Sequence, residues 1–404
     1  MSEIVLVNVS GRDRPGLTSS LTAILAQYDV NVLDIGQAVI HDTLSLGLLI
    51  EIPERSEPAP VLKDMVFCAH ELDVDIQFTP VPGDEYEQWV HQQRRRRYII
   101  TVLGPWITAR QISAIAGIVS DNGLNIDDIS RLSERVPLHH PDRTQRFCIE
   151  LTVSGPTENL PDIRARFMAV SAELGVDVAF QEDSVYRRNR RLVALDMDST
   201  LVPYEIIDQL AAAAGVGEKV AAITAAAMRG ELDFAESFSR RIALLKGLDE
   251  SALQRIASEL TLMQGAERLI ATLKSLGYKI AILSGGFTYF GRLLQERLGI
   301  DHLHANELAI ENGVVTGEVV GEIVDGRRKA DLLQQIARKE GIRLEQVIAV
   351  GDGANDLPML NLAGLGIAFH AKPVVREGAE HSLSTIGLDG ILYLMGIRDR
   401  DLMS

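Results

Sequence analysis

"LVALDMDSTL", Leu192–Leu201, sets a short apolar run directly against two aspartates, Asp196 and Asp198. An unbroken apolar run of this length reads as a strand buried on both faces, as in a parallel sheet. Residues i and i+2 of a strand project to one side, so a strand continued through Asp198 would bring both carboxylates together. Such a pair is tolerable where a cation lies between the acids or one keeps its proton. A hard divalent ion such as Mg²⁺, which takes oxygen ligands, meets the first condition.

The same pattern recurs downstream. "KIAILSGG" and "VIAVGDGAND" are near-continuous apolar strands, each running into a polar loop and then a helix. Between the first two strands lies a long segment of helical composition ("DQLAAAAGVGEKVAAITAAAM", "ESALQRIASEL"). Residues 190–400 are therefore expected to form an α/β domain, a Rossmann-like parallel sheet. Residues 204–265 are expected as an inserted helical cap over its carboxyl edge, where open α/β folds place ligands. "GDGAND" adds Asp352 and Asp356. "SGGF" offers the Ser284 hydroxyl, with Gly285 and Gly286 permitting close backbone approach, and "GRRKADLL" offers Lys329 at the head of a helix. A phosphate group would unite these parts, since its oxygens want a metal, backbone N–H groups and a fixed cation. No Gly-x-x-x-x-Gly-Lys-Ser/Thr string occurs, which argues against a nucleotide cradle of that type.

The first half of the chain reads as a duplicated α+β unit. Strand, helix, two strands, helix and strand follow one another over residues 1–82, and the order repeats over 97–182. Superposing Asn31 on Asn125 also superposes Ile24 on Ile118, Asp34 on Asp128 and Ile35 on Ile129. "PVPGDEYEQWVHQQRRRR" between the copies is polar and turn-rich, a linker whose Arg94–Arg97 run reads as a solvated face. "YRRNRR", ending at Arg191, is a second basic, polar stretch just before the opening acids.

Composition bounds the function. The formal charge of −16 opposes sequence-independent nucleic-acid binding and docking on anionic membranes. Two cysteines, Cys68 and Cys148, lie far apart among apolar neighbours, which suits packed thiols in a reducing compartment. No apolar run reaches a membrane-spanning length and the start lacks a basic leader, so a cytoplasmic protein is expected. His139, His140, His370 and His381 suggest no metal site.

At "DMDST", "SGGF", Lys329 and "GDGAND" the chain resembles the haloacid dehalogenase-like phosphatases, over roughly residues 190–395. The resemblance implies that Asp196 attacks phosphorus and Asp198 serves as acid and base. It implies that Mg²⁺ is held by the Asp196 carboxylate, the Asp198 main-chain carbonyl and Asp352, and that Ser284 and Lys329 hold the phosphoryl group. Relatives with a long-lived aspartyl-phosphate carry threonine where Asp198 stands, so turnover is expected. In the cap, Glu205 and Arg241 read from spacing alone as surface charge or as partners for an ammonium and a carboxylate. "R.ELDF..S...R..LLKGL" resembles the phosphoserine phosphatase family and implies the second reading, with phosphoserine as substrate. Met228 and Phe234 then match apolar positions near it, and Gly285 and Asn355 belong to the substrate site. The duplicated units resemble ACT domains, ferredoxin-like modules that often bind amino acids. "GRDRPGLTSSL…VNVLDI" carries that match and implies an effector site, with L-serine as the candidate, at Asp13, Gly16 and Asn31. The second copy has "GPWITARQ" in place of the turn but keeps Asn125. The domains either bind an effector or serve as a dimerisation module, and a homodimer through them is expected.

Overall fold

The computed structural model describes residues 2–92, 95–137, 146–157 and 159–402, and the Met228 side chain, His139, His140 and Arg94 lie outside what is described. The chain divides into two units, residues 1–95 and 96–404.

The first unit holds β1 (Glu3–Arg12), β2 (Asn31–Ile40), β3 (Thr43–Ile52) and β4 (Val74–Val81) in the spatial order β2-β3-β1-β4, all antiparallel. Alternation builds its core: Val5, Val7 and Val9 of β1 and Leu44, Leu46, Leu48 and Ile50 of β3 face one side. Helices Leu17–Gln27 and Pro58–Glu71 supply Leu17, Leu21, Leu25, Val61 and Met65 at helical spacing to the same core. The segment expected as a linker is corrected here, because Gly83–Gln92 forms a helix. Its first turn carries Asp84 and Glu85, favourable at a helix N-terminus, and Tyr86 and Trp89 recur three residues apart. Those rings help to line a hollow of about 370 Å³ with Leu6 and Leu49, on the sheet face away from the other helices.

In the second unit, β5 (Arg97–Gly104), β6 (Asn125–Arg131), β7 (Phe147–Ser154) and β8 (Asp177–Glu182) repeat the topology as β6-β7-β5-β8, with helices Ala109–Asp121 and Leu160–Leu174. The remaining sheet has seven strands: β9 (Leu192–Leu195), β10 (Lys279–Phe287), β11 (His302–Glu311), β12 (Val314–Val320), β13 (Val347–Gly351), β14 (Leu365–Phe369) and β15 (His381–Leu383). Their order is β12-β11-β10-β9-β13-β14-β15, parallel except for the β11–β12 hairpin. All four residues of β9 are buried, and it runs at the centre between β10 and β13. The cap consists of helices Ile206–Ala213, Gly217–Met228, Phe234–Ala243 and Glu250–Ser258, within the expected span.

The second small sheet shares a core with the large one. Leu103, Leu132, Cys148 and Ala179 pack in one cluster with Val193 and Leu195. Asp177 is held by the backbone N–H groups of Ser384 (2.9 Å) and Thr385 (2.8 Å) and by the Thr385 hydroxyl (2.6 Å). Within the basic "YRRNRR" stretch, Arg187 and Arg190 are buried.

Candidate active site

Three parallel strands end side by side and deliver the motif residues. Leu195 pairs with Ile282 on one side and Val350 on the other, so Asp196, the "SGG" end of β10 and Asp352 lie together at one sheet edge. β9 stops at Leu195, and the Asp196 N–H still donates to the Val350 carbonyl at 2.9 Å. Asp196 and Asp198 thus meet through a loop rather than through strand pleating. Ser199, at φ 55, makes the left-handed turn.

The Asp196 carboxylate is held from two sides. Oδ1 accepts the Met197 N–H at 2.7 Å, and Oδ2 lies 3.0 Å from Lys329 Nζ. Lys329, from helix Gly326–Lys339, is fully buried and also donates to Asp356 Oδ1 at 2.7 Å. The two carboxylates keep that ammonium charged despite its burial, with a pKa raised above the ordinary lysine value. Ligand atoms of Asp196, Asp352 and Asp356 all lie within 4.8 Å of one another. Burial, then repulsion from Asp196, pushes Asp352 up to about 8 and Asp356 up to about 7. One ammonium therefore does not neutralise this group. Its hard oxygen donors fit a Mg²⁺-class ion, with Lys329 engaging Asp356 and one oxygen of Asp196 while Asp352 has no cationic partner among the described residues.

Asp198 stands apart from that cluster. Its Oδ1 accepts the Ile206 N–H at 3.1 Å, at the start of a cap helix. Burial first, then the charges of Glu205 and Asp196, raises its pKa well above the usual carboxylate range. Gly286 allows the opposing loop to come close: a Cβ there would sit 2.3 Å from Asp198 Oδ2. Ser284 is fully buried, and its Oγ accepts the Gly286 N–H at 2.9 Å.

A cavity of about 780 Å³ joins these groups to the cap, with Ser284, Gly285 and Asn355 on the sheet side and Glu205, Phe234 and Arg241 on the cap side. Glu205 accepts the Ser199 hydroxyl at 2.8 Å. The Arg241 guanidinium lies 5.9 Å from the Phe238 ring centre, and its buried Nε has no hydrogen-bond partner among the described residues. Acid and guanidinium thus face one hollow whose floor is the Asp196 carboxylate. Every candidate catalytic, metal and substrate residue is gathered there, although Lys329 lies behind Asp196 rather than in the cavity wall.

The effector candidates are not gathered in this way. Gly16, at φ 95, precedes helix Leu17–Gln27 beside the end of β1, near the exposed Asp13. Asn31 pairs across the sheet with Glu51, whose neighbour in β1 is Ile4, at the start of that strand. Asn31 and Gly16 therefore occupy opposite ends of one sheet. Asn125, at the start of β6, donates to Asp127.

Sequence reasoning assigned no role to three residues that shape the site. Asp356 was visible in "GDGAND", but its ion pair with Lys329 spans a long stretch of chain. Thr200 reaches Asp352 at 3.4 Å. Buried Asn306 donates to the Gly285 carbonyl and accepts the Val324 N–H, fixing the "SGGF" turn. Nothing in the residues around Asn306 signals this.

Comparison with known proteins fits the geometry. The haloacid dehalogenase-like hydrolase family matches residues 193–361, and ACT domain families match 3–79 and 97–181. A phosphoserine phosphatase of Streptomyces coelicolor is 44% identical, the match covering 97% of this chain and 92% of the relative. The chain belongs to the phosphoserine phosphatase family. A phosphoserine phosphatase of Mycobacterium tuberculosis is 42% identical over 97% of this chain and 93% of its own. Among solved structures, a haloacid dehalogenase family hydrolase from Salmonella enterica superposes with a TM-score of 0.62 at 32% identity, covering 74% of this chain and 98% of that one. An unliganded probable phosphoserine phosphatase from Vibrio cholerae gives 0.59 at 34%, covering 76% and 87%. No described helix is long and apolar enough to cross a membrane.

Proposed function

We propose that this protein hydrolyses O-phospho-L-serine to L-serine and phosphate through an aspartyl-phosphate on Asp196. The observation that carries this reading is the Lys329–Asp196 pair, which aims a carboxylate into a cavity walled by Glu205 and Arg241. Glu205 complements the substrate ammonium and Arg241 its carboxylate, which brings the ester phosphorus to Asp196. Asp196 forms the bond to phosphorus as the ester oxygen leaves, and Lys329 holds the attacking carboxylate in place. Asp198, whose burial favours its protonated form, gives a proton to the departing serine oxygen. As a carboxylate it then takes a proton from the water that cleaves the acyl phosphate. Ser284 and the Gly285–Gly286 backbone are placed to receive the phosphoryl oxygens, with Asn355 beside them. Mg²⁺, held by Asp196, Asp352 and the Asp198 carbonyl, would supply electrostatic stabilisation of the phosphoryl charge.

Replacing Asp196→Asn should abolish both turnover and acid-stable labelling from ³²P-phosphoserine; a normal rate in that variant would end this account. Arg241→Ala should raise KM for free phosphoserine by about 10–100-fold, the worth of a charge-assisted hydrogen bond, while sparing a phosphopeptide that lacks the free carboxylate. Metal binding must displace the Asp352 proton, so affinity for Mg²⁺ should fall as pH drops below about 8, with proton release seen by calorimetry.

The first ACT-like domain is the proposed L-serine effector site. Because Gly16 and Asn31 sit at opposite ends of one sheet, a site using both needs two domains, consistent with pairing of two chains as a homodimer. Equilibrium dialysis of labelled serine against full-length Arg241→Ala, whose catalytic site is impaired for serine, tests it. No binding at millimolar serine removes the effector role.

A further inference from the structure

At the amino-terminal edge of the catalytic sheet, at the end of β9 remote from Asp196, lies a cavity of about 770 Å³ that the proposed reaction does not use. Arg187, Arg188, Arg190 and Arg191, from the segment entering β9, line it with Lys279 from the start of β10. Glu340 is the one carboxylate among its lining residues. It already engages His302 at 2.9 Å and lies 3.9 Å from Lys279. In a chain of charge −16, such a concentration of cations is local and specific.

Two of these arginines are not surface residues. Arg187 is 2% exposed and paired with Glu150 of β7. Arg190 is 7% exposed and donates to the Glu345 carbonyl, and among the described residues no carboxylate pairs with it. The Nε atoms of both are buried without a hydrogen-bond partner. Burial, together with the neighbouring Arg187 charge, lowers the Arg190 pKa to about 10. A buried guanidinium without a counter-charge is costly, and a structure that keeps one has a use for an anion there.

We propose that this basic cavity binds a phosphate-bearing polyanion, whose oxygens supply the counter-charge that Arg190 lacks. Guanidinium forks suit phosphate oxygens through paired hydrogen bonds. The volume is ordinary for a small-molecule site. Tyr278, Ile342 and Ile397 provide an apolar wall for an organic group attached to the phosphates. Since Arg187 is anchored to β7 and Arg191 leads into β9, an occupant touches the joint between the second ACT-like domain and the strand that ends at Asp196.

Calorimetry on the full chain with inorganic phosphate, tripolyphosphate and ATP tests this, beside an Arg188→Glu/Arg191→Glu variant. Both substituted residues are exposed and outside the catalytic machinery, so phosphoserine turnover without probe should match the parent. Tripolyphosphate should bind more tightly than phosphate, lose at least tenfold in affinity in the double variant, and weaken steeply with added salt. ATP binding more tightly than tripolyphosphate would assign the apolar wall to an organic group, and equal binding would assign the site to the phosphate chain alone. Affinity unchanged in the double variant, no binding by the parent, or loss of binding with Ser284→Ala instead would overturn the proposal.

Discussion

The two ACT-like copies share a topology and differ in what covers them. Both order their strands alike and carry a register shift at matching places, between Val32 and Asp34 in one and Ile126 and Asp128 in the other. In the first copy β4 is only half-buried, whereas β8, its counterpart, is buried through Gln181. The second copy presses that face onto the catalytic domain, with Asp177 tied to the segment after β15 and Gln181 donating to the Leu394 carbonyl at 3.0 Å. The helix starts differ as well. Gly16 opens its helix with no side-chain cap, leaving N–H groups for a ligand, while Thr108 and Gln111 form a reciprocal capping box that occupies them. The first copy thus keeps an uncapped helix start, while the second packs as a structural plate against the catalytic domain.

The strongest test of that contrast is Asp177→Ala. Removing a buried acceptor of three hydrogen bonds should cost about 3 kcal/mol, read as a lowered urea midpoint, whereas Asp75→Ala on the exposed side of β4 should stay within about 0.5 kcal/mol. Equal effects would dissolve the distinction. Next in size, Asn31→Ala should weaken serine binding about tenfold, by about 1.4 kcal/mol, with Asn125→Ala neutral in the same dialysis. Thr108→Ala should destabilise by about 1 kcal/mol through loss of the cap, with serine affinity unchanged. The smallest effect concerns pH. Burial raises the Asp177 pKa in the folded state more than its hydrogen bonds lower it. Its contribution is therefore fully present below the unfolded pKa and is lost as pH rises through the folded value. The stability advantage of the parent over Asp177→Asn should widen between pH 7 and pH 4; a gap that narrows would contradict the burial of this carboxylate.

Legibility followed the range of the interactions. Strand alternation in β1 and β3, the Leu17–Leu21–Leu25 spacing and the apolar β9, β10 and β13 are local patterns, and each produced the expected element. The helix Gly83–Gln92 was masked by its polar composition, since it buries no residue completely and leaves only the Tyr86–Trp89 spacing as a sign. Burial of Arg187 and Arg190 in the basic stretch before β9 has no local signal, because it depends on Glu150 and Glu345, remote in sequence. Asp196, Asp198, Ser284, Lys329 and Asp352 were readable because each sits at a strand end or helix head with a recognisable motif around it. Asp356 and Asn306 act through partners that no local pattern reveals.

By itself the sequence determined most elements, their order, and which side chains are candidates for the chemistry, because periodicity and motif are properties of neighbouring residues. Tertiary structure decided which acids meet the lysine, which carboxylates are pushed toward protonation, and which ACT-like copy is sealed. Those outcomes depend on desolvation and on charges brought within a few ångströms of one another, and neither exists until distant segments pack.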